Sequence, residues 1–344
     1  MNSEIPTWPE RADIAQRSLD HYFGTDRPQF LENYHPAGAG DSTTFNYWWL
    51  AHVIDARIDA WERSGDGHWL DLARRTHQNI LERNGGSLFN DYFDDMLWLG
   101  LALLRLAGAT GDERYRRDTV AIWEHVVAEG WNDTFGPSLA WRKPQLDYKN
   151  TPANGPLVIL SARLADSEYL RYAHAAFDWL THTLVGDDGF VEDGINRERD
   201  GRIDRHWQFT YNQGLYVGAA VELYRRTGDA EYLKRATRTA LTAVDRLSDG
   251  TVFRGEGSGG DEGLFKGVYY RYLGLLLPLL SADDPDRARL ERFVRDSTDA
   301  LWRTCYHDCH LRAGNDWSAP SAEPIPYSTQ LSAIMAIEQR CRLG

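Results

Sequence analysis

"MLWLGLALLRLAGATGDERYRRDTVAIWEHV", residues 96–126, reads as two helices folded back on one another. Its first half is apolar on almost every face, the mark of a helix buried on most sides. At Gly111-Asp112 the character changes. Glycine adopts the left-handed conformation that ends a helix, and aspartate caps the one that follows. The second half is amphipathic: Tyr115, Thr119, Ile122, Trp123 and Val126 form a stripe at helical spacing, with Arg116, Arg117, Asp118 and Glu124 on the other faces. Inner helix, tight turn and outer helix make one hairpin.

The same turn chemistry recurs along the chain, in "RSGDGHWLDLA" (63–73), "ADSEYLRYA" (165–173), "TGDAEYLKRA" (227–236) and "ADDPDRARLE" (282–291). A spacing of roughly 45–60 residues fits one two-helix unit plus a variable loop. Apolar segments precede the later turns too: "PLVILSARLA", "GLYVGAAVELY" and "VYYRYLGLLLPLL". Five hairpins leave two helices over. "STQLSAIMAIEQRCRL" (328–343) is an inner helix without an outer partner, and "WPERADIAQRSLDHYF" (8–23) is an outer helix without an inner one. Pairing them gives a sixth hairpin, so the pattern predicts an all-α fold, an (α/α)6 toroid or barrel, with residues 1–344 as a single domain. An open helical solenoid is the alternative, and the matching unpaired ends favour closure.

This arrangement sorts the loops. The tight turns are expected on one face, and the long connections (about 24–45, 84–93, 130–153, 185–210, 248–262 and 305–327) on the other, leading into the N-termini of inner helices. Within the fourth, "GFVEDGINRERDGRIDRHWQF" predicts a small β-hairpin around Asp200-Gly201.

On that face "NDYFDDMLW" (90–98) sets Asp94 and Asp95 against a buried helix. Asp91 as N-cap with Asp94 three residues in is one reading, since acids suit a first turn. A mere cap, however, does not require two adjacent carboxylates that repel each other. Partly desolvated by Tyr92, Phe93 and Trp98, one member is expected to keep its proton near neutral pH. One ionised and one protonated carboxyl is the combination that glycosidic-bond cleavage uses. The other long loops bring Trp141, Tyr148, Lys149, Asn150 and Asn154, then His206, Trp207, Tyr211, Asn212 and Gln213, then Asp261, Glu262 and Lys266. Amides, phenols and aromatic faces suit neutral sugars, although each also caps helices or fills cores.

Composition narrows the partners. A net charge of −13 opposes nucleic acid and anionic membranes, and no apolar run is long enough to span a bilayer. The opening "MNSEIPTWPERAD" carries no basic n-region or apolar h-region, so a cytoplasmic protein is expected, or a secreted one with its leader removed. The three cysteines, Cys305, Cys309 and Cys341, fit a reducing compartment. "TCYHDCH" gathers Cys305, His307, Cys309 and His310, but with no second ligand cluster it is read as part of a late helix. "NRERDG" lacks the closing glutamate of a calcium loop. Neither a metal nor another cofactor is expected.

"DYFDDMLW", "YKNTPANGP", "TYNQG" followed by "ELYRRTGD", and "DEGLFKGVYYRYL" occur in this order and together resemble glycoside hydrolase family 76, the α-1,6-mannanases and related transglycosidases of bacteria and fungi. The resemblance runs from about residue 45 to residue 280. It implies the (α/α)6 fold, endo-cleavage of α-1,6-mannosidic linkages with retention of configuration, Asp94 as nucleophile and Asp95 as general acid/base. On this reading Asp91, Tyr92, Trp141, Tyr148, Asn150, Asn154, Trp207, Tyr211, Asn212, Gln213, Asp261 and Lys266 bind substrate. The partner is α-mannan or a manno-oligosaccharide, without nucleic acid or membrane, and a monomer is expected. Transfer of the mannosyl group to another sugar by the same pair is the nearest alternative. A non-catalytic mannan-binding toroid is a second, and an epimerase or uronide hydrolase on the same fold a more distant third.

Overall fold

A computed structural model describes residues 5–257 and 260–344. Among them are twelve α-helices: α1 (Trp8–Phe23), α2 (Tyr47–Ser64), α3 (Gly67–Arg83), α4 (Phe93–Thr110), α5 (Glu113–Gly130), α6 (Thr151–Leu164), α7 (Ser167–Thr183), α8 (Thr210–Thr227), α9 (Ala230–Leu247), α10 (Glu262–Leu276), α11 (Pro285–Cys305) and α12 (Tyr327–Cys341). Two residues suffice to join α2 to α3, α4 to α5, α6 to α7 and α8 to α9. The chemistry of these turns is the one predicted. Gly65, Gly111 and Gly228 take φ of 72°, 69° and 72°. Asp66, Asp112 and Asp229 then accept the N–H two residues on, at 2.9, 3.0 and 2.9 Å, satisfying donors that a helix start leaves open. The third turn has Ala165 in the left-handed region, at φ 73°.

The chain divides into two compact units. The first comprises the residues up to Arg83, Ser248–Arg271 and Arg289–Gly344. Here α1 packs on α12 as the sixth hairpin requires, and α12 also packs on α2. Buried polar groups tie the three together. The Gln16 amide donates to the Ala56 carbonyl at 2.7 Å and to Glu338 at 3.2 Å, and Arg63 pairs with Glu338 and Asp13, both at 2.9 Å. Gly267 of α10 lies against α12, its N–H donating to Ser332 Oγ at 2.9 Å; a Cβ there would come within 2.8 Å of the Ser332 backbone.

The second unit comprises Asn84–Leu247 and Tyr272–Ala288. The inner helices α4, α6 and α8 stand side by side, α6 in the middle, and α5, α7 and α9 each back one of them. The α5 stripe predicted from spacing, Tyr115, Thr119, Ile122, Trp123 and Val126, is buried throughout.

Two loop expectations are corrected. Residues 130–153 are not merely a connection: Trp131–Asn132, Ser138–Arg142 and Gln145–Asn150 form antiparallel strands, and Gly194–Ile195 adds a fourth beside the last. The Asp200-Gly201 reversal is present but short, with Ile195 bridging Ile203 and the Asn196 N–H donating to the Arg202 carbonyl at 2.8 Å. The "TCYHDCH" segment leaves the helix at Cys305. Tyr306–His307 and His310–Leu311 pair around Asp308 and Cys309, both at positive φ, as a tight hairpin.

Candidate active site

Asp94 and Asp95 occupy the first turn of α4, half-buried, where unpaired N–H groups and the helix dipole favour negative charge. The helix starts at Phe93 with Tyr92 at the N-cap position, so Asp91 does not cap it. Asp91 is exposed instead, and its carbonyl accepts the Lys143 N–H at 2.9 Å, docking the strand Ser138–Arg142 beside the helix mouth. Asn90 sets the turn: its Oδ1 accepts the Tyr92 N–H at 2.8 Å and its amide donates to Asp95 Oδ2 at 3.1 Å.

Both oxygens of Asp94 receive a donor. Trp141 Nε1 donates to Oδ2 at 3.0 Å, and the Asp95 N–H donates to Oδ1 at 3.1 Å. Trp141 reaches it because the strand register shifts between Ala140, opposite Lys149, and Arg142, opposite Gln145. A bulge of this kind re-aims a side chain. The indole is held edge-on between Tyr92 at 5.4 Å and Tyr148 at 5.6 Å, with the Arg142 guanidinium 4.5 Å above it. Two donors, one to each oxygen, hold the Asp94 carboxyl group in a fixed orientation.

Behind Trp141 lies a buried polar network. Asp193, 1% exposed, accepts from Tyr211 Oη at 3.0 Å and Asn212 Nδ2 at 2.9 Å on one oxygen. Its other oxygen accepts from Tyr148 Oη at 2.9 Å and Arg197 Nη2 at 2.5 Å. Arg197 also pairs with Asp204 at 3.0 Å. Burial, followed by the nearby Asp193 charge, pushes the phenols of Tyr148 and Tyr211 far above the ordinary range, so both remain donors. Burial likewise pushes the Asp204 carboxyl up, against the pull of Arg197.

The family model for Glycosyl hydrolase family 76 matches residues 8–341. The chain belongs to glycosyl hydrolase family 76. Among solved structures, it superimposes on the Lin0763 protein from Listeria innocua with a TM-score of 0.94 at 43% identity, over 98% of both chains. The GH76A α-1,6-mannanase from Salegentibacter sp. HEL1_6 matches with a TM-score of 0.92 at 34% identity, over 98% of this chain and 100% of that one. The mannan endo-1,6-alpha-mannosidase DCW1 of Saccharomyces cerevisiae is 28% identical over 338 residues, 87% of this chain and 71% of that protein. The fold is therefore the family 76 (α/α)6 toroid, as the hairpin count predicted. The family match extends beyond the stretch from 45 to 280 on which the sequence motifs rest.

Within this family 76 chain the expected site residues separate by environment. Asp94, Asp95, Tyr92, Trp141, Tyr148, Trp207, Tyr211 and Asn212 come together in the second unit, with Tyr92 37% and Trp207 45% exposed. Three expected ligand contacts are corrected. Asn150 caps α6 through the Ala153 N–H at 3.2 Å. Asn154 grips the Leu139 N–H at 2.8 Å and the Asn150 carbonyl at 2.8 Å. Gln213 clamps Val191 through its N–H at 2.9 Å and its carbonyl at 2.7 Å. All three are buried amides spent on backbone. Tyr148 is fully buried as well and acts through Trp141, Asp193 and Arg197. Lys149 is buried and donates to the Asn132 and Ser138 carbonyls at 3.0 and 2.6 Å, and burial lowers its ammonium to about 7.

Asp261 and Lys266 belong to the first unit. One oxygen of Asp261 accepts both the Trp48 and the Trp49 indole N–H, at 2.8 and 2.7 Å. Lys266 is corrected to an internal residue, bonded to the carbonyl and side chain of Asn315, and burial lowers its ammonium to about 8. His206 is exposed. Asp193, Arg197 and Asp204 were missed from sequence, hidden in what reads as a solvated charge run, "EDGINRERDGRID".

Proposed function

We propose that this chain is a retaining endo-α-1,6-mannanase in which Asp94 is the nucleophile and Asp95 the general acid/base. Family 76 membership and the α-1,6-mannanase and mannan endo-1,6-alpha-mannosidase relatives support the reaction class. The observation that carries the assignment is the pair of donors on Asp94, one to each oxygen, which suits a carboxylate that must be ionised and aimed. A further solved structure supports the pair: an inactive variant of the Salegentibacter mannanase, with two consecutive aspartates changed to asparagine, is in complex with α-1,6-mannotriose. Three consecutive aspartate pairs occur in this chain. Asp188 of the second holds a turn at the Phe190 N–H, and Asp284 of the third caps α11. Asp94-Asp95 is the pair set among aromatic side chains at an inner-helix mouth.

In the first step an Asp94 oxygen bonds to the anomeric carbon as the glycosidic C–O bond breaks, and Asp95 gives its proton to the leaving oxygen. In the second, Asp95 takes a proton from water as the water oxygen displaces Asp94 from the anomeric carbon, restoring the original configuration. No metal or other cofactor is needed for either step.

Reducing ends released from linear α-1,6-mannan measure the activity, and Asp94→Asn and Asp95→Asn should each abolish it. Azide separates the roles. With an activated mannoside it should rescue Asp95→Ala to give the α-mannosyl azide, and Asp94→Ala to give the β-mannosyl azide. Absence of any product from the wild-type protein on linear α-1,6-mannan, or the reverse pattern of azides, would refute the corresponding part of the proposal.

A further inference from the structure

Asn90 lies half-buried five residues before Asp95, and its side-chain amide is engaged at both ends. Oδ1 accepts the Tyr92 N–H at 2.8 Å, and Nδ2 donates to Asp95 Oδ2 at 3.1 Å. The first bond decides the orientation of the amide. A backbone N–H needs an acceptor, so the oxygen faces Tyr92 and the NH2 faces the carboxyl group; a flipped amide would set donor against donor. The chain before Asn90 is anchored as well. The Asn84 amide donates to the Ser87 and Phe89 carbonyls at 2.7 and 3.0 Å, and Ser87 Oγ accepts the Phe89 N–H at 3.0 Å. The Phe89 ring stacks on His125 of α5 at 4.0 Å. A donor of fixed direction therefore stands on one particular oxygen of Asp95.

That contact makes the two oxygens unequal. An amide NH2 donates and does not accept, so no proton on Asp95 can point at it. In a protonated carboxyl group the carbonyl oxygen is the better acceptor and the hydroxyl oxygen the poorer one. The proton therefore settles on the oxygen that Asn90 does not touch. In the ionised carboxylate the same hydrogen bond is charge-assisted and stronger, so Asn90 also favours the proton's departure.

We propose that Asn90 is a positioning residue for the acid/base: it reserves Oδ2 of Asp95 as a hydrogen-bond acceptor throughout the cycle and assigns the transferred proton to Oδ1. The proposal rests on the reading of Asp95 as the acid/base. In the first step the Oδ1–H bond breaks as the leaving glycosidic oxygen takes the proton. In the second, Oδ1 takes a proton from water as the water oxygen bonds to the anomeric carbon. Oδ2 keeps the Asn90 hydrogen bond in both steps, so Asp95 returns to its starting state without rotating.

The pH dependence of kcat/KM on linear α-1,6-mannotetraose tests it, because the basic limb reports loss of the acid's proton from the free enzyme. Asn90→Asp keeps an oxygen for the Tyr92 N–H and sets a like charge where the NH2 stood, so the basic limb should move up by at least about one pH unit. Asn90→Ser keeps a hydroxyl that closes the same turn but is too short to reach Asp95, and should move the limb up by about half a unit to one unit. The other ionisable groups of this mouth are Asp91 and Asp94 beside the turn, Arg142 and Lys143 of the adjoining strand, and Tyr211 of α8; they are the same in all three proteins. A role in the turn alone predicts instead a uniform loss of kcat/KM at every pH with the basic limb in place. That result, or a downward shift, would overturn the proposal. Neutron diffraction from wild-type crystals at acid pH decides even where a variant fails to fold: a deuteron on Asp95 Oδ1 is expected, and one on Oδ2 would overturn the assignment. Wild-type protein that releases no product from the tetraose would overturn the mannanase reading, while the deuteron still decides what Asn90 does to Asp95.

Discussion

Replacing Asp193 with asparagine tests the network behind the catalytic pair. The carboxylate accepts two donors on each oxygen: Tyr211 and Asn212 on one, Tyr148 and Arg197 on the other. Asparagine offers one oxygen and one NH2, and either flip sets the NH2 against two donors. Two hydrogen bonds to a charged acceptor, at about 1.5–3 kcal/mol each, would be lost. Arg197 would keep Asp204 as its remaining carboxylate partner, and breaking a buried pair costs about 3–5 kcal/mol. The two routes agree on a destabilisation of about 3–5 kcal/mol. With unfolding entropy near 2.1 cal/mol/K per residue over 344 residues, that is a fall in Tm of about 4–7 °C. Urea unfolding followed by tryptophan fluorescence and thermal melting provide the measurement. Asp200→Asn, in the same loop but exposed, is the control and should stay within about 0.5 kcal/mol of wild type. At a temperature where the Asp193→Asn protein is fully folded, kcat should still be down about ten- to a hundredfold, because Tyr148 loses its anchor and Trp141 its backing. A loss of stability below about 1 kcal/mol, or a folded variant with wild-type kcat, would refute the network's role.

Two further outcomes follow from local geometry. Ala165→Gly relieves a left-handed alanine, worth about 1–2 kcal/mol, against the extra chain entropy of glycine, so the net gain should be about 0.5–1 kcal/mol in denaturant unfolding; a destabilised variant would show that the turn is held by something other than its backbone. Burial pushes His52 down to about 3, so between pH 6.5 and that value the unfolded chain binds a proton the fold refuses, and stability falls as pH falls. His52 should therefore remove about 2 kcal/mol between pH 6.5 and pH 5, a slope absent from His52→Gln when the two proteins are compared by urea unfolding. Equal slopes would show that His52 is protonated in the fold.

The hairpins were legible because their determinants are local. Apolar spacing and the Gly-Asp turn are written within some thirty consecutive residues, and α1 is observed with the same bounds, 8–23, that the pattern predicts. The helix mouth was harder by two residues. Asp91 and Asp94 have the spacing of a cap, but Asn90 organises the turn and Tyr92 sits at the cap position. Amides were the least legible. Asn150, Asn154 and Gln213 lie next to helix starts as ligand-binding amides do, and only tertiary structure shows their bonds going to backbone. The Asp193–Arg197–Asp204 cluster was illegible for another reason. It forms where Asn196 and Arg199 take positive φ without a glycine to announce it, folding a run of charges inward onto Tyr148.

That inward fold is an expensive choice, which gives it meaning. A largely buried guanidinium with two carboxylates and two phenols is no more stabilising than a well-packed apolar cluster of the same volume. Apolar side chains, however, cannot dictate the direction in which a neighbouring indole points, whereas hydrogen bonds can. Here the chain of orientation is continuous. Asp193 fixes Tyr148 and Arg197, Tyr148 meets Trp141 edge-on with Arg197 beside it, the strand bulge aims Trp141, and its N–H fixes one oxygen of Asp94 while the Asp95 N–H fixes the other. A nucleophile must meet an anomeric carbon along one line, and a misplacement of 1 Å costs on the order of a hundredfold in rate. The helix supplies the Asp94 backbone position and the Asp95 N–H on one oxygen, Trp141 holds the other oxygen, and the network behind Trp141 holds that indole in turn.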